Sequence, residues 1–236
     1  MTTISKNIDT DISLGKAALI AGLSLFVMVL TTPFAEFSIF PKLIDSENAM
    51  KTAENIINNK HLFSVAIFLI LLTLIADIVA SWALYIFLKP VNKSLSLLTA
   101  WFRLMYTAMY FIALYNLLEV LSIIKSTEYL NNTGIGQIND SILIQINTFR
   151  VEGSFGLIIF GIYLILLGYL VYKASYIPKI FGIILFIAGL SWIIDKLSSF
   201  LFPEINTQFL FILTMGELIF MFWLLIKGSR IKKIEL

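Results

Sequence analysis

The sequence predicts an all-α integral membrane protein: one domain over residues 1–236, six transmembrane helices, N-terminus and C-terminus both inside. Three observations predict it. First, 59% of the residues are hydrophobic and only 14% charged, with mean hydropathy +0.92, whereas soluble domains carry about 25% charged residues. One soluble core of this length cannot hide so much apolar surface, so lipid must solvate part of it. Second, the apolar residues come in continuous runs and not in alternation, which disfavours a β-barrel. Third, Lys and Arg collect at the ends of those runs. Lys6, Lys16, Lys89, Lys93, Lys173, Lys179, Lys227, Arg230, Lys232 and Lys233 fall on one side, and Lys42, Lys51, Lys60, Lys125, Arg150 and Lys196 on the other. The richer side is read as cytoplasmic.

The helices follow in order. Residues 1–14 are polar, with Lys6, Asp9 and Asp11, and the first helix covers 15–35. Lys16 followed by Ala17 to Leu30 also has signal-peptide character, but Pro33 stands at −3 before the only candidate cleavage site, after Ala35. Ala17/Ala21 and Ala18/Gly22 are small-xxx-small pairs that admit a close neighbour. Residues 36–61 read as a polar loop carrying a short surface helix from Asn48 to Asn58. The second helix, 62–88, stops at Lys89-Pro90. The third, 94–124, is long enough to tilt or protrude. A second polar loop, 125–148, holds the turn Asn131 to Gly134, and Ile138 to Thr148 extends the next helix. The fourth helix covers 149–172, the fifth 179–201 and the sixth 207–227.

Short loops make helices 2–3 and 4–5 antiparallel hairpins with cytoplasmic turns. The 4–5 hairpin has its own geometry. With its turn centred on Ser175, Gly161 comes level with Gly189 and Gly168 with Gly182. That predicts close backbone contact and a rigid scaffold.

The composition also excludes chemistry. There is no cysteine and one histidine, His61, at a helix start, which leaves no thiolate site, no three-histidine metal site and no cofactor box. The net charge of +2 is too small to point to nucleic acid. No glycine stands in a phosphate-loop frame.

Ionisable residues inside spans are costly, so each is a candidate functional residue. Arg103 lies ten residues beyond Lys93, Asp77 twelve before Lys89 and Glu217 ten before Lys227. All three therefore reach a similar depth. Asp77 belongs to a stripe with Thr73, Ser81 and Tyr85, and Arg103 shares a face with Thr99, Tyr106, Thr107 and Tyr110. The candidate ligand- or ion-binding set is Asp77, Arg103, Tyr106, Tyr110 and Glu217. One arginine against two acids favours a proton or cation link; the same set could equally serve only to fix helix register. A second group, Asn116, Glu119, Glu152 and Asp195, with Arg150 and Lys196 beside it, is expected at the opposite end as a solvated rim or outer vestibule.

The central hairpin also carries a resemblance. Phe160-Gly161, Leu167-Gly168-Tyr169, Tyr172-Lys173, Ser175, Ile177-Pro178, Gly182 and Ala188-Gly189-Leu190 are similar to the bacterial multi-pass membrane family known as domain of unknown function 4386. The likeness extends to Thr52 through Ile56, Arg103 after Thr99-Ala100, Gly216-Glu217, Trp223 and Lys227-Gly228. It implies about six helices in a bacterial cytoplasmic (inner) membrane and no particular activity.

Three functions fit the residues. One is a small ligand- or ion-binding, transport-like protein, which predicts a cavity reaching Arg103. Another is a non-catalytic accessory or stress-response protein, which predicts mutually satisfied polar groups and no cavity. The third is a lipid-modifying enzyme built on Asp77 and Glu217, for which no motif exists. The expected partners are the lipid bilayer, a small ligand or ion, and a protein partner or second copy.

Overall fold

The computed structural model describes residues 12–127, 135–202 and 204–231. The expected turn at Asn131 to Gly134, and Lys6, Asp9, Asp11, Lys232 and Lys233, lie outside them. The described chain is helical, with no strand among the described residues. Six of its helical stretches are long and apolar enough to cross a membrane: Leu14–Leu43, Lys60–Leu88, Lys93–Lys125, Gly136–Lys173, Lys179–Leu201 and Gln208–Arg230.

Helix α1, Leu14–Phe34, starts at Ser13, whose hydroxyl accepts from the Lys16 amide at 3.3 Å. Pro33 offers no N–H to the preceding turn, and a π-helical segment, Ala35–Ile39, follows it. Helix α2, Phe40–Leu43, then completes the span. This departs from the expected loop at 36–61. The apolar run resumes past Glu36 with Phe37, Ile39, Phe40 and Leu43, and Ile39, Phe40 and Leu43 are buried.

Asn48 caps the amphipathic helix α3, Ala49–Asn58. The loop before it is pinned by Thr52, whose hydroxyl donates to the Asp45 carbonyl at 2.7 Å, and by the Lys51–Asp45 pair at 3.0 Å. The Lys51 ammonium holds the Asp45 carboxyl below its usual range. That support is in place at neutral pH and fades as acidification protonates the carboxylate.

Helices α4, Lys60–Leu88, and α5, Lys93–Thr127, are joined by a tight turn. Helix α6, Ile135–Lys173, is one continuous rod that absorbs the extension expected from Ile138. Helix α7, Lys179–Leu201, packs along it. The last span is not uniform. Gln208–Met215 is 3₁₀ and only Gly216–Ile226 is α-helical, as α8.

The chain ends are brought together. A Cβ on Gly15 would lie 2.7 Å from the Ser229 carbonyl oxygen, so the start of α1 sits against the C-terminal segment. At the same end the Tyr176 hydroxyl, in the α6–α7 turn, donates to the Phe87 carbonyl at 2.6 Å. Phe87 lies in the last turn of α4, where carbonyls lack helical partners. Tyr176 therefore acts as a C-cap from another helix pair. Tyr176→Phe should cost about 1 kcal/mol, read as a lower melting temperature of the detergent-solubilised protein.

The apolar interior divides in two. One core gathers Ala80–Phe87 of α4 with Tyr163, Leu167, Leu170, Phe220 and Leu224. The other gathers Phe63–Leu74 with Ala113, Leu117, Val120, Ile142 and Phe149. Asp77 on α4, and Arg103 and Thr107 on α5, fall between them and are buried. A polar layer thus separates two apolar ones.

Candidate intramembrane charge cluster

The polar layer is built around Arg103. Its side chain is 0% exposed, Asp77's 1% and Glu217's 13%. Arg103 Nε donates to Asp77 Oδ1 at 2.7 Å, and Nη2 lies 2.5 Å from the same oxygen. The other Asp77 oxygen accepts from the Thr107 hydroxyl. Arg103 Nη1 donates to Glu217 Oε1 at 2.5 Å and also to the Tyr163 hydroxyl. Tyr163 in turn donates to Glu217 Oε1 at 2.7 Å. The guanidinium stands 4.7 Å from the Tyr163 ring centroid, and Nη2 reaches Met28 Sδ at 3.6 Å. One guanidinium therefore binds side chains from α1, α4, α6 and α8 to its own helix, α5. Its rigid fork of donors is what allows this; a lysine ammonium lacks that geometry.

Each position follows from local sequence. Thr107 stands one turn after Arg103, so both meet Asp77 across the α4–α5 pair. Glu217 lies in the first turn of α8, where a carboxylate is favoured by unsatisfied N–H groups. Gly216 lets α8 close on α7: a Cβ there would be 2.8 Å from the Ala188 Cβ.

Every buried side-chain nitrogen and oxygen among the described residues has a hydrogen-bond partner. A cavity of about 10 Å³ lies one turn away, lined by Ser81, Tyr85, Ser96, Thr99 and Tyr163 among others. Roughly 10–15 Å³ admits a single water. The cavity holds nothing larger.

The structure brings Asp77, Arg103 and Glu217 together. Tyr106 and Tyr110 are half-buried between α5 and α6, each ring against a glycine of α6. Their rings stand 5.9 Å apart, and the Tyr106 ring is 4.9 Å from Phe160. The second predicted group divides its hydrogen bonds among separate partners. Asn116 donates to Glu152 at 2.8 Å, beside a shallow open groove lined by Phe111, Ile112 and Tyr115. Glu119 lies against the Tyr115 hydroxyl. Asp195 is paired with Lys196 at 2.8 Å and accepts from Thr207 at 2.6 Å. Arg150 turns to Ser46 at 2.8 Å. No group of three or more His, Cys, Asp or Glu able to hold a metal occurs among the described residues.

Two participants fall outside the candidate set: Tyr163, and Thr107, which the sequence places on the Arg103 face without a role. Tyr163 lies ten residues before Lys173, the depth rule that located Glu217. It was hidden by the reading of its hairpin as inert scaffold. Glu36 fell in the expected loop. It is half-buried on the π segment, within electrostatic range of Arg150 and Tyr110.

Among known proteins, this chain is 37% identical over 172 residues to an uncharacterized protein of Archaeoglobus fulgidus, covering 72% of this chain and 86% of the relative. No solved structure matches. Domain of unknown function (DUF4386) matches residues 20–228, from the second turn of α1 to the end of α8. Those residues include every member of the charge cluster, and the chain belongs to that family.

Proposed function

We propose that this protein is a proton-binding, transport-like membrane protein whose working group is the Asp77–Arg103–Glu217 cluster. A single observation carries the reading. The cluster holds one guanidinium and two carboxylates in a closed network beside room for one water. With both acids ionised it bears one excess negative charge, at high cost in a dehydrated layer. A proton cancels that charge without needing a cavity; a solute-sized ligand has no space. Glu217, the most exposed of the three, is the natural carrier.

The favoured placement is multi-pass in the cytoplasmic membrane, with the Lys89–Lys93 and Lys173–Lys179 turns inside, as the basic-residue bias suggests. The one-water cavity then lies between the cluster and the inner face.

A second reading is favoured by the full satisfaction of the network. In it the cluster is only a clasp, and the protein serves as an accessory component. Purified protein in liposomes loaded with a pH-sensitive dye separates the two. Under an imposed membrane potential the wild type should acidify the lumen faster than empty liposomes, and Glu217→Gln should not. Wild-type vesicles no leakier than empty ones would leave the clasp.

A further inference from the structure

Helices α5 and α6 are antiparallel neighbours: Asn116 meets Glu152, the Tyr110 ring meets Gly153 and the Tyr106 ring meets Gly156. Beyond the two tyrosines, toward the end far from Lys93 and Lys173, lies a groove of about 390 Å³. Phe111, Ile112, Tyr115, Asn116 and Glu152 line it. Asn116 stands twenty-three residues beyond Lys93 and Glu152 twenty-one before Lys173. At about 1.5 Å per residue both lie roughly 30–35 Å from that end, against about 30 Å for a hydrocarbon core. Two separate counts thus put the polar end of the groove at the level of lipid headgroups.

The groove changes character along its length. Phe111 and Ile112 stand one turn nearer the middle of the span than Tyr115 and Asn116. Phe155, one turn inward of Glu152 on α6, is exposed, as are Ile112 and Tyr115. Apolar surface therefore lies inward and polar atoms outward, the polarity of a lipid standing in its leaflet. The polar atoms on offer are acceptors. Asn116 Nδ2 donates to Glu152 Oε2 at 2.8 Å and to the Ala113 carbonyl at 3.0 Å. Both amide protons are thereby committed, which leaves the side-chain carbonyl oxygen. Glu152 has that amide as its donor, and no Lys or Arg pairs with it among the described residues. Arg150 is rotated about 200° from it around α6 and donates to Ser46 instead. A carboxylate with no cation, a carbonyl oxygen and the exposed Tyr115 ring make a site for a cation.

We propose that this groove seats a phospholipid whose headgroup carries a primary ammonium, of the phosphatidylethanolamine kind, in the leaflet opposite the Lys89–Lys93 turn. The ammonium donates to the Glu152 carboxylate and the Asn116 carbonyl, with the Tyr115 ring beside it. The start of an acyl chain runs inward along Phe111 and Ile112. A primary ammonium brings three N–H donors to these acceptors. A quaternary ammonium has no N–H to give, and an anionic headgroup meets a carboxylate. The site is separate from the charge cluster and does not depend on proton binding there.

The test is lipid binding to the full chain in detergent, read by native mass spectrometry at rising concentrations of dioleoyl phosphatidylethanolamine. It should bind about tenfold more tightly than dioleoyl phosphatidylglycerol or dioleoyl phosphatidylcholine, the scale of one charge-assisted hydrogen bond. Glu152→Gln should lose that preference, because glutamine still accepts from Asn116 but carries no charge. Tyr115→Leu should weaken ethanolamine-lipid binding several-fold, and Asp195→Asn should change nothing. If Glu152→Gln melts early, Tyr115→Leu carries the test, since its ring is exposed. Equal or tighter binding of either comparison lipid would overturn the proposal. So would an undiminished preference in Glu152→Gln, which would leave the Asn116–Glu152 bond as a clasp between α5 and α6. Free phosphoethanolamine binding as tightly as the whole lipid would overturn the lipid as occupant.

Discussion

Arg103→Gln should destabilise the protein by about 3–5 kcal/mol, the usual cost of removing one partner from a buried ion pair. The reason lies in what remains. Asp77 loses its donors at 2.7 and 2.5 Å and keeps only Thr107. Glu217 loses its donor at 2.5 Å and keeps only Tyr163. Two carboxylates then face each other in a dry layer between apolar cores. The measurement is thermal melting of the purified protein in detergent. Arg103→Lys should recover little, because one ammonium cannot span both acids.

Two further variants separate charge from packing. Adding Asp77→Asn to Arg103→Gln should cost less than the two changes summed, since it removes the charge that the first leaves unpaired. A combined Arg103→Met, Asp77→Leu, Glu217→Leu variant should regain most of the lost stability, as apolar replacements of buried ion networks often do. That variant should also abolish proton flux. Stability and function would thereby be read from different chemistries at one site. Wild-type melting in Arg103→Gln would show that the guanidinium does not join these helices.

The charge cluster was legible because depth can be counted from basic anchors. Lys93, Lys89 and Lys227 stand at the ends of apolar runs, and counts of ten, twelve and ten inward from them bring Arg103, Asp77 and Glu217 to a similar depth. Counting fails where no rotation is fixed. It put Asp195 and Lys196 in one outer group with Asn116 and Glu152, and within it Asp195 accepts from Thr207 while Glu152 accepts from Asn116. It also fails where the backbone leaves the α-helix. Glu36 looked like a loop residue because a carboxylate just past Pro33 normally signals an exit. The π segment instead carries the helix on to Leu43. The 3₁₀ stretch Gln208–Met215 left no trace in the apolar pattern, since its residues are nearly as hydrophobic as those of α8. Tyr163 was missed for a different reason. An uncharged residue raises no electrostatic alarm, though its hydroxyl is bonded to both Arg103 and Glu217.

The second large effect is expected at the α6–α7 seam, where Gly168→Ala and Gly182→Ala should both destabilise. Helix propensity alone predicts the opposite sign, since alanine is favoured over glycine by about 1 kcal/mol in a helix. Here space decides. A Cβ on Gly168 would stand 2.7 Å from the Gly182 carbonyl oxygen and 2.8 Å from the Phe186 amide nitrogen. A Cβ on Gly182 would stand 2.6 Å from the Tyr172 nitrogen and 2.7 Å from the Gly168 carbonyl oxygen. These neighbours are backbone, which cannot swing aside as a side chain can, so the two helices must separate. Separation forfeits contacts along the whole seam, because Gly161 and Gly189 meet in the same way farther along it. Overpacking of this kind costs about 1–3 kcal/mol beyond any propensity gain. Gly136 is the internal control. It is exposed in α6 with nothing within 4 Å of an added Cβ, so Gly136→Ala should leave melting unchanged or raise it. Melting of the three variants side by side checks the argument. Gly168→Ala behaving like Gly136→Ala would mean that α6 and α7 do not approach through their glycines.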